Sequence, residues 1–396
     1  MKKAITGSGG WLLPVLLNSG FLQGAVYAVR PMVTYKSVDL GADPWLVGII
    51  GATFALAPLI FAIQIGRWID RGNAGRALFF GTLISLLATV SLIFVENFWL
   101  LMLSMPVLGI GHLLVMSGGQ TLTGNRSQDR DYERNFGLLT FYASMGHALG
   151  PFAAGFVADR GGLEVDVDSA FILATGLFLV AALVAIPVVE RRVKGEAKPQ
   201  HSVRGSAREV FGLPGFKSAI LVSGSITAVI DVMLVFLPLL GRELGLSASQ
   251  VGILLAIRAA SAMAVRIILG PLSRRLGMRW TLGLGSGLTV LGTLAIALTT
   301  DFWILGALML LLGFSTGIGQ PVTMAWVTRI SPKDVRGLAI SIRLTSNRLG
   351  QVVIPAVAGV LAATSAGTVF LLLAGLQGLS FIVSERALGK KPPADE

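Results

Sequence analysis

Cysteine is absent from the 396 residues, which excludes a disulfide framework and a thiolate metal site. The three histidines, at positions 112, 147 and 201, are scattered, so neither a His/carboxylate metal cluster nor a nucleophile–base constellation stands out. No P-loop GxxxxGK[ST] occurs, nor a GxGxxG placed between a strand and a helix. No cofactor, no metal and no enzymatic activity are therefore expected. Charge is scarce as well: 13% of the residues are Asp, Glu, Lys or Arg, against about 25% in a soluble domain, so a large water-exposed surface is not expected. The chain is instead 54% hydrophobic, with a mean hydropathy of +0.76. Its 49 glycines are too many for a soluble helical protein but suit closely packed membrane helices.

Apolar runs of roughly 20 residues are long enough to cross a bilayer. Twelve are found, at about 11–35, 45–67, 77–95, 98–122, 137–158, 169–189, 218–240, 251–272, 281–299, 302–327, 338–362 and 367–384. The expected fold is an all-α membrane protein of 12 transmembrane helices. "MKK" before an apolar stretch imitates a signal peptide, but the run from Trp11 to Tyr35 is too long for one and reads as a retained first span.

The net charge of +11 would suit a nucleic-acid partner if the basic residues formed a patch. They do not. With both termini and alternate loops assigned to one side, that side holds 24 Lys and Arg and the opposite loops hold three, Lys36, Arg160 and Arg242. By the positive-inside rule the rich side, including both termini, is cytoplasmic, and the basic charge is a topology signal. The lipid bilayer is the expected environment and nucleic acid is not an expected partner.

Residues 190–217 are the only long polar segment and read as a cytoplasmic linker, with a short surface helix near Ser206–Phe211. They divide the chain into six-span bundles, 1–189 and 218–396. An offset of 204 relates the two: "LVGIIGATF" from Leu46 matches "QVGILLAIR" from Gln250, and Gly66 falls on Gly270. Farther on the offset drifts to 200, laying Phe136 over Arg336. Two six-helix bundles related by a pseudo-two-fold parallel repeat suggest a transporter with its substrate site between them, near the midplane.

The loop "GRWIDRGNAGR" carries Gly66, Asp70, Arg71 and Arg76 at a tight connection on the basic side. In "GLLTFYASMGHALGPFAAG", Gly137, Gly146, Gly150, Pro151 and Gly155 punctuate one apolar helix. Glycines one turn apart make a seam along which another helix can pack closely, and the proline permits a bend. The two stretches resemble the loop 2–3 signature and the fifth-helix antiporter signature of the major facilitator superfamily, and the resemblance extends over nearly the whole chain. The resemblance implies that Gly66 admits a neighbouring helix, that Asp70 meets a helix N-terminus or an arginine when the cytoplasmic side closes, and that the fifth helix rocks against a partner in the other half. It also implies alternating access and favours export. The arginine that the family's drug antiporters usually carry in span 4 is replaced by Met105.

Ionisable groups inside spans are rare and usually face a cavity. Here they are Arg30, His112, His147, Asp231, Arg258, Arg266, Arg343 and Arg348, and spans 3, 6, 9 and 12 contain none. In the superfamily those four spans are peripheral. Asp231 lies about 20 Å into its span at 1.5 Å per residue, close to the midplane. Arg258 and Arg348 are also deep, Arg30 and Arg343 lie near span ends where they can snorkel, and Arg266 reads as a cytoplasmic-end anchor.

Several buried cations stand against one carboxylate. One arginine can neutralise Asp231, and a substrate anion can supply the rest of the counter-charge. The expected proton-coupling residues are Asp231, His112 and His147. Arg30, Tyr27, Arg258, Arg343, Asn347 and Arg348 are the expected substrate contacts. Phe21, Phe141, Tyr142, Phe236 and Trp326 could add aromatic surface. The reading is a monomeric proton-coupled exporter of small, anionic organic molecules in a bacterial inner membrane. A proton-symporting importer of organic acids, a multidrug efflux pump and a non-transporting sensor are the alternatives.

Overall fold

The computed structural model describes residues 10–161, 164–189, 206–332 and 335–389. The described part is helical throughout, with one isolated bridge between Asp159 and Val165. The first half contains α1 (Leu12–Asp39), α2 (Pro44–Trp68), α3 (Ala74–Ile93), α4 (Phe98–Arg126), α5 (Tyr132–Ala158) and α6 (Val167–Val189). After the short helix Ala207–Gly212, the second half starts with α7 (Phe216–Glu243). A helix from Ala248 to Ile296 follows, broken at Gly277 with φ 75° and ψ 166°; its arms, 248–276 and 278–296, are α8 and α9. α10 (Phe302–Ile330), α11 (Arg336–Ala362) and α12 (Ala366–Gly389) complete the twelve long helices expected. Residues 1–9, 190–205 and 390–396, which hold both termini and most of the expected linker, lie outside the described residues.

In hydrocarbon every backbone N–H and C=O must be satisfied within the chain, so long apolar runs become helices. Their ends are set locally. Asn97 accepts from the backbone N–H of Leu100 at 3.1 Å to start α4, and Asp301 accepts from Trp303 and Ile304 at 2.9 Å to start α10. Left-handed Gly41 and Gly245 (φ 80° and 72°) turn the chain after α1 and α7, where a side chain would be strained.

Both cap and turn pairs are 204 residues apart, and so are the limits of α1 and α7, of α4 and α10, and of α5 and α11. The expected drift of the offset to 200 is therefore corrected for α5 and α11, and Pro151 answers to Pro355. Short sequence matches between glycine-rich segments are degenerate, and helix ends identify the repeat better.

Eight helical segments are long and apolar enough to cross a membrane, and two of them, Pro44–Ile93 and Ala248–Ile296, each contain two of the twelve helices. α5 and α11 are outside that set. They are the helices whose apolar character is diluted by His147, Arg343, Asn347, Arg348 and Gln351. The two helices least suited to lipid are repeat partners, and both face the interior described below.

Glycine decides where the halves meet. A side chain on Gly48 of α2 would stand 2.7 Å from the Cα of Gly359 in α11, and one on Gly252 of α8 would stand 3.2 Å from the Cα of Gly155 in α5. The two crossings are related by the same 204-residue offset. Gly146 and Gly150 behave differently from expectation. They lie against Gly20 and Gly24 of α1, within the same half. The seam that was expected to rock against the other half is an internal weld, while Gly155 makes the contact between halves. Gly150→Leu is therefore expected to destabilise the first half by about 1–3 kcal/mol, as overpacking does. A fall in the thermal midpoint of the purified protein would show it.

The two ends of the molecule differ. At the end bearing the loops poor in basic residues, Arg242 is paired with Asp39, and Thr34 donates to the carbonyl of Val235 at 2.9 Å. Asp159, at the end of α5, accepts from the backbone N–H of Ser249 in the first turn of α8 at 3.3 Å. This face is closed. At the opposite end Gly66 and Gly137 have no atom within 4 Å of where a side chain would stand, Gly270 touches only the side chain of Arg274, and Asp70, Arg71 and Arg76 are exposed. Ile63 and Ile267 are 64% and 80% exposed. The expectation that Gly66 admits a neighbouring helix does not hold in this open-ended arrangement.

Hydrogen bonding, chiefly from Ser249 and also from Gly161, holds the Asp159 carboxyl down at about 2, below its ordinary value of 3.8. A depressed carboxylate stabilises above its ordinary value and loses that contribution only as pH falls towards about 2. The latch is thus fully ionised near neutrality and is not a pH switch there. Asp159→Asn is expected to loosen the closed face at all pH values above about 4, by up to about 1 kcal/mol. Faster modification in that variant of a cysteine placed at Ala248, which is buried at that contact, would report the loosening.

Candidate functional site

Between the halves lies a chamber of about 290 Å³. Its lining comes from α1, α2, α4, α5, α7, α8, α10 and α11, and from none of α3, α6, α9 and α12. A second cavity of about 510 Å³ shares Gln23, His147, Arg266 and Gln320 with it. That cavity runs past Gln120, Phe136 and Met324, near the helix ends on the open side, and forms the vestibule.

The centre of the chamber is a polar chain that joins the two halves. Arg30 of α1 is ion-paired to one oxygen of Asp231 in α7, with both side chains buried. Gln351 of α11 donates to the other oxygen, and Arg348 donates to the Gln351 Oε1 at 3.0 Å. The Arg30 guanidinium also lies 4.7 Å from the Phe54 ring centroid, a cation–π contact. Arg30 does not snorkel to a membrane surface, as its place near a span end suggested. Pairing with the one acid of the chamber holds it inside.

His112 Nε2 is 3.1 Å from Gln23 Oε1, and the Gln23 amide nitrogen donates to the sulfur of Met116 at 2.8 Å. A glutamine oxygen only accepts, so this contact is a hydrogen bond when the His112 Nε2 carries a proton. His147 stacks on Tyr27 with ring centroids 3.9 Å apart, and its Nε2 has no partner. Arg343 is also held inside: it donates to Gln320 Oε1 and Thr323 Oγ1, each at 3.1 Å. Asn347 is buried at the chamber wall with its Oδ1 unpartnered.

Arg266 also departs from expectation. It lines the chamber and the vestibule and donates to Ser144 of α5 at 2.9 Å, so it is a cavity cation and not an anchor. Of the expected aromatics, Tyr27 alone lines the chamber, where it is joined by Phe54, which was not among them; Phe236 and Trp326 are packing residues, and Phe21 and Tyr142 face a separate apolar groove. Reading ionisable groups alone missed Gln23, Gln320 and Gln351, which tie the charges together. Glutamine inside an apolar run was the available signal, since a buried amide needs partners. The gating stretches stand apart from the chamber, at the open end and along the helix crossings.

A sequence model of the Major Facilitator Superfamily matches residues 15–240 and again 219–396, one match for each half. The chain belongs to this superfamily. It is a multi-pass membrane transporter and not an enzyme. The tetracycline resistance protein, class C, of Escherichia coli is 25% identical over 321 residues, which cover 79% of each chain. The quinolone resistance protein NorA of Staphylococcus aureus is 27% identical over 161 residues, 41% of this chain and 40% of that one. Solved structures share the fold at low identity. A bacterial homologue of the human lysosomal transporter Spinster, in an inward-facing and occupied conformation, has a TM-score of 0.79 at 15% identity, covering 97% of this chain and 98% of that one. The nucleoside transporter NupG has a TM-score of 0.76 at 15% identity, covering 96% and 99%.

Proposed function

We propose that this transporter carries small organic anions across a bacterial inner membrane by alternating access, coupled to protons through Asp231. The observation behind this reading is the charge inventory of the interior. Asp231 pairs with Arg30, while Arg258, Arg266 and Arg348 have no carboxylate partner among the described residues. A substrate anion is the natural complement of such a chamber. A chamber lined by residues of a single chain supports transport by the monomer. The domains are 1–189 and 218–396, joined by the 190–217 linker on the cytoplasmic side.

Export is supported by the fifth-helix pattern and by the likeness to resistance proteins. Import by proton symport is supported by electrostatics: protonating Asp231 leaves Arg30 uncompensated, so proton and anion favour each other's binding. Purified protein in liposomes, loaded with a metabolite pool and given a pH gradient of either sign, separates these readings. Efflux against the proton movement supports antiport, and flux in the same direction as the proton supports symport. Protection of cells against apolar cations, without any anion flux, would favour the multidrug reading.

The orientation has its own test, made clean by the lack of native cysteine. Ser206→Cys and Thr364→Cys are expected to react with an impermeant thiol reagent from opposite sides of the membrane, Ser206→Cys from the cytoplasmic side. Labelling of both from one side would contradict the assigned topology.

A further inference from the structure

Beside the chamber lies a smaller cavity of about 60 Å³, whose wall of Tyr27 and His147 it shares with the chamber. Arg258, Arg266, Ser144 and Thr316 complete its polar lining, and among the described residues no carboxylate lines it. Arg258 is 3% exposed, its Nε has no acceptor, and it makes no hydrogen bond or ion pair to any described residue. Arg266 donates to Ser144 through one nitrogen, and its Nε also lacks an acceptor. Arg30 and Arg348 are occupied in the Asp231 chain, so among the described residues the free guanidinium fork of the interior is that of Arg258.

A buried guanidinium without a counter-ion is costly, and a chain retains it where something else completes the pair. A fork of two parallel N–H groups matches the two oxygens of a carboxylate. The cavity has room for a group of a few atoms and not for a whole metabolite, since one water already needs roughly 10–15 Å³ of such space. A ligand reaching it must therefore leave its body in the main chamber. There the stacked Tyr27 and His147 rings and Phe54 offer flat apolar surface.

We propose that this side cavity is a head-group subsite that holds the substrate's carboxylate between Arg258 and Arg266, with a flat, largely apolar body lying in the chamber against Tyr27 and His147. The transported class is then aromatic or similarly flat monocarboxylic acids. The inference rests on the anion-transport reading above and goes further by naming the residues that grip the anion and the shape attached to it.

The test uses the full-length protein in detergent, with sodium benzoate as probe and benzamide, its uncharged isostere, as control, at ionic strength held constant with sodium chloride. Benzoate is expected to raise the thermal midpoint in a saturable manner, and benzamide is not. Arg258→Gln is expected to leave the ligand-free midpoint equal or higher, because it removes an uncompensated buried charge. It should also weaken the apparent benzoate affinity by about tenfold or more, the loss of a charge-assisted fork. A lower ligand-free midpoint with an intact benzoate response would make Arg258 a structural residue and overturn the proposal. A larger affinity loss in Arg348→Gln than in Arg258→Gln would place the anion in the main chamber, overturning the subsite while sparing the anion reading. Equal protection by benzamide and benzoate would sink both.

Discussion

Replacing Asp231 by asparagine is expected to abolish flux driven by a pH gradient while substrate exchange at constant pH continues. Only an ionisable carboxylate can take up and release a proton, and the amide that replaces it cannot. The structure adds a cost that composition did not show. Asp231 is the counter-ion of Arg30, and both side chains are buried. Removing one partner of a buried pair leaves an uncompensated charge and destabilises by about 3–5 kcal/mol. A second substitution separates stability from coupling. Arg30→Met with Asp231→Asn removes both charges and should recover most of the lost thermal stability, yet the response to pH should stay absent. If the double variant regained pH-driven flux, the proton would be carried elsewhere, with His112 and His147 the next groups to test. The measurement is initial flux in liposomes with and without a gradient, beside the thermal midpoint of each variant.

The second large effect is expected at the glycine crossings between halves. Gly252→Leu places a branched side chain where the carbonyl of Pro151 lies 2.5 Å from a bare Cβ, and Gly48→Leu does the same against the carbonyl of Pro355. Neither backbone can retreat without separating α5 from α8 or α2 from α11. Each substitution should therefore prevent the closed face from forming, at a cost of about 1–3 kcal/mol or more to that state alone. The contrast with Gly150 is the informative part. Gly150 lies within one half, so Gly150→Leu should reduce the yield of folded protein. Gly252→Leu should leave each half folded and stop turnover. Cysteine accessibility on the closed face, raised in Gly252→Leu and unchanged in wild type, would show the trapped state. Wild-type flux in both crossing variants would mean that the halves separate elsewhere during the cycle.

Much of this was legible in residue order. Long apolar runs allowed only helices, because lipid offers no partner to an open backbone, and the twelve spans emerge with ends shifted by a few residues. The helices of the interior could be told from the peripheral ones by where charge was tolerated: every ionisable span residue sits on one of the eight helices that bound the chamber. The arginines that depart from expectation share one cause. Sequence places Arg30, Arg266 and Arg343 only by depth along a span, and depth says nothing about which way a side chain points. One residue step turns a helix face by about 100°, so a position near a span end can face lipid or the cavity equally well. Gly146 and Gly150 show the same ambiguity, since a small-residue seam announces close packing without naming its partner.

The sequence by itself therefore determined the fold class, the repeat, the membrane setting and the inventory of one carboxylate among several arginines. These depend on local hydropathy and on residue type, which are written in order along the chain. The tertiary structure alone decided that Arg30 is the partner of Asp231, 201 residues away. It also decided that Arg258 is left free beside a small cavity, that Gly155 and Gly359 face the opposite half, and that the basic end is open. Those facts depend on how each helix is rotated about its axis and on which helix lies beside it. Both are set by packing summed over the whole bundle, which no single stretch of sequence contains.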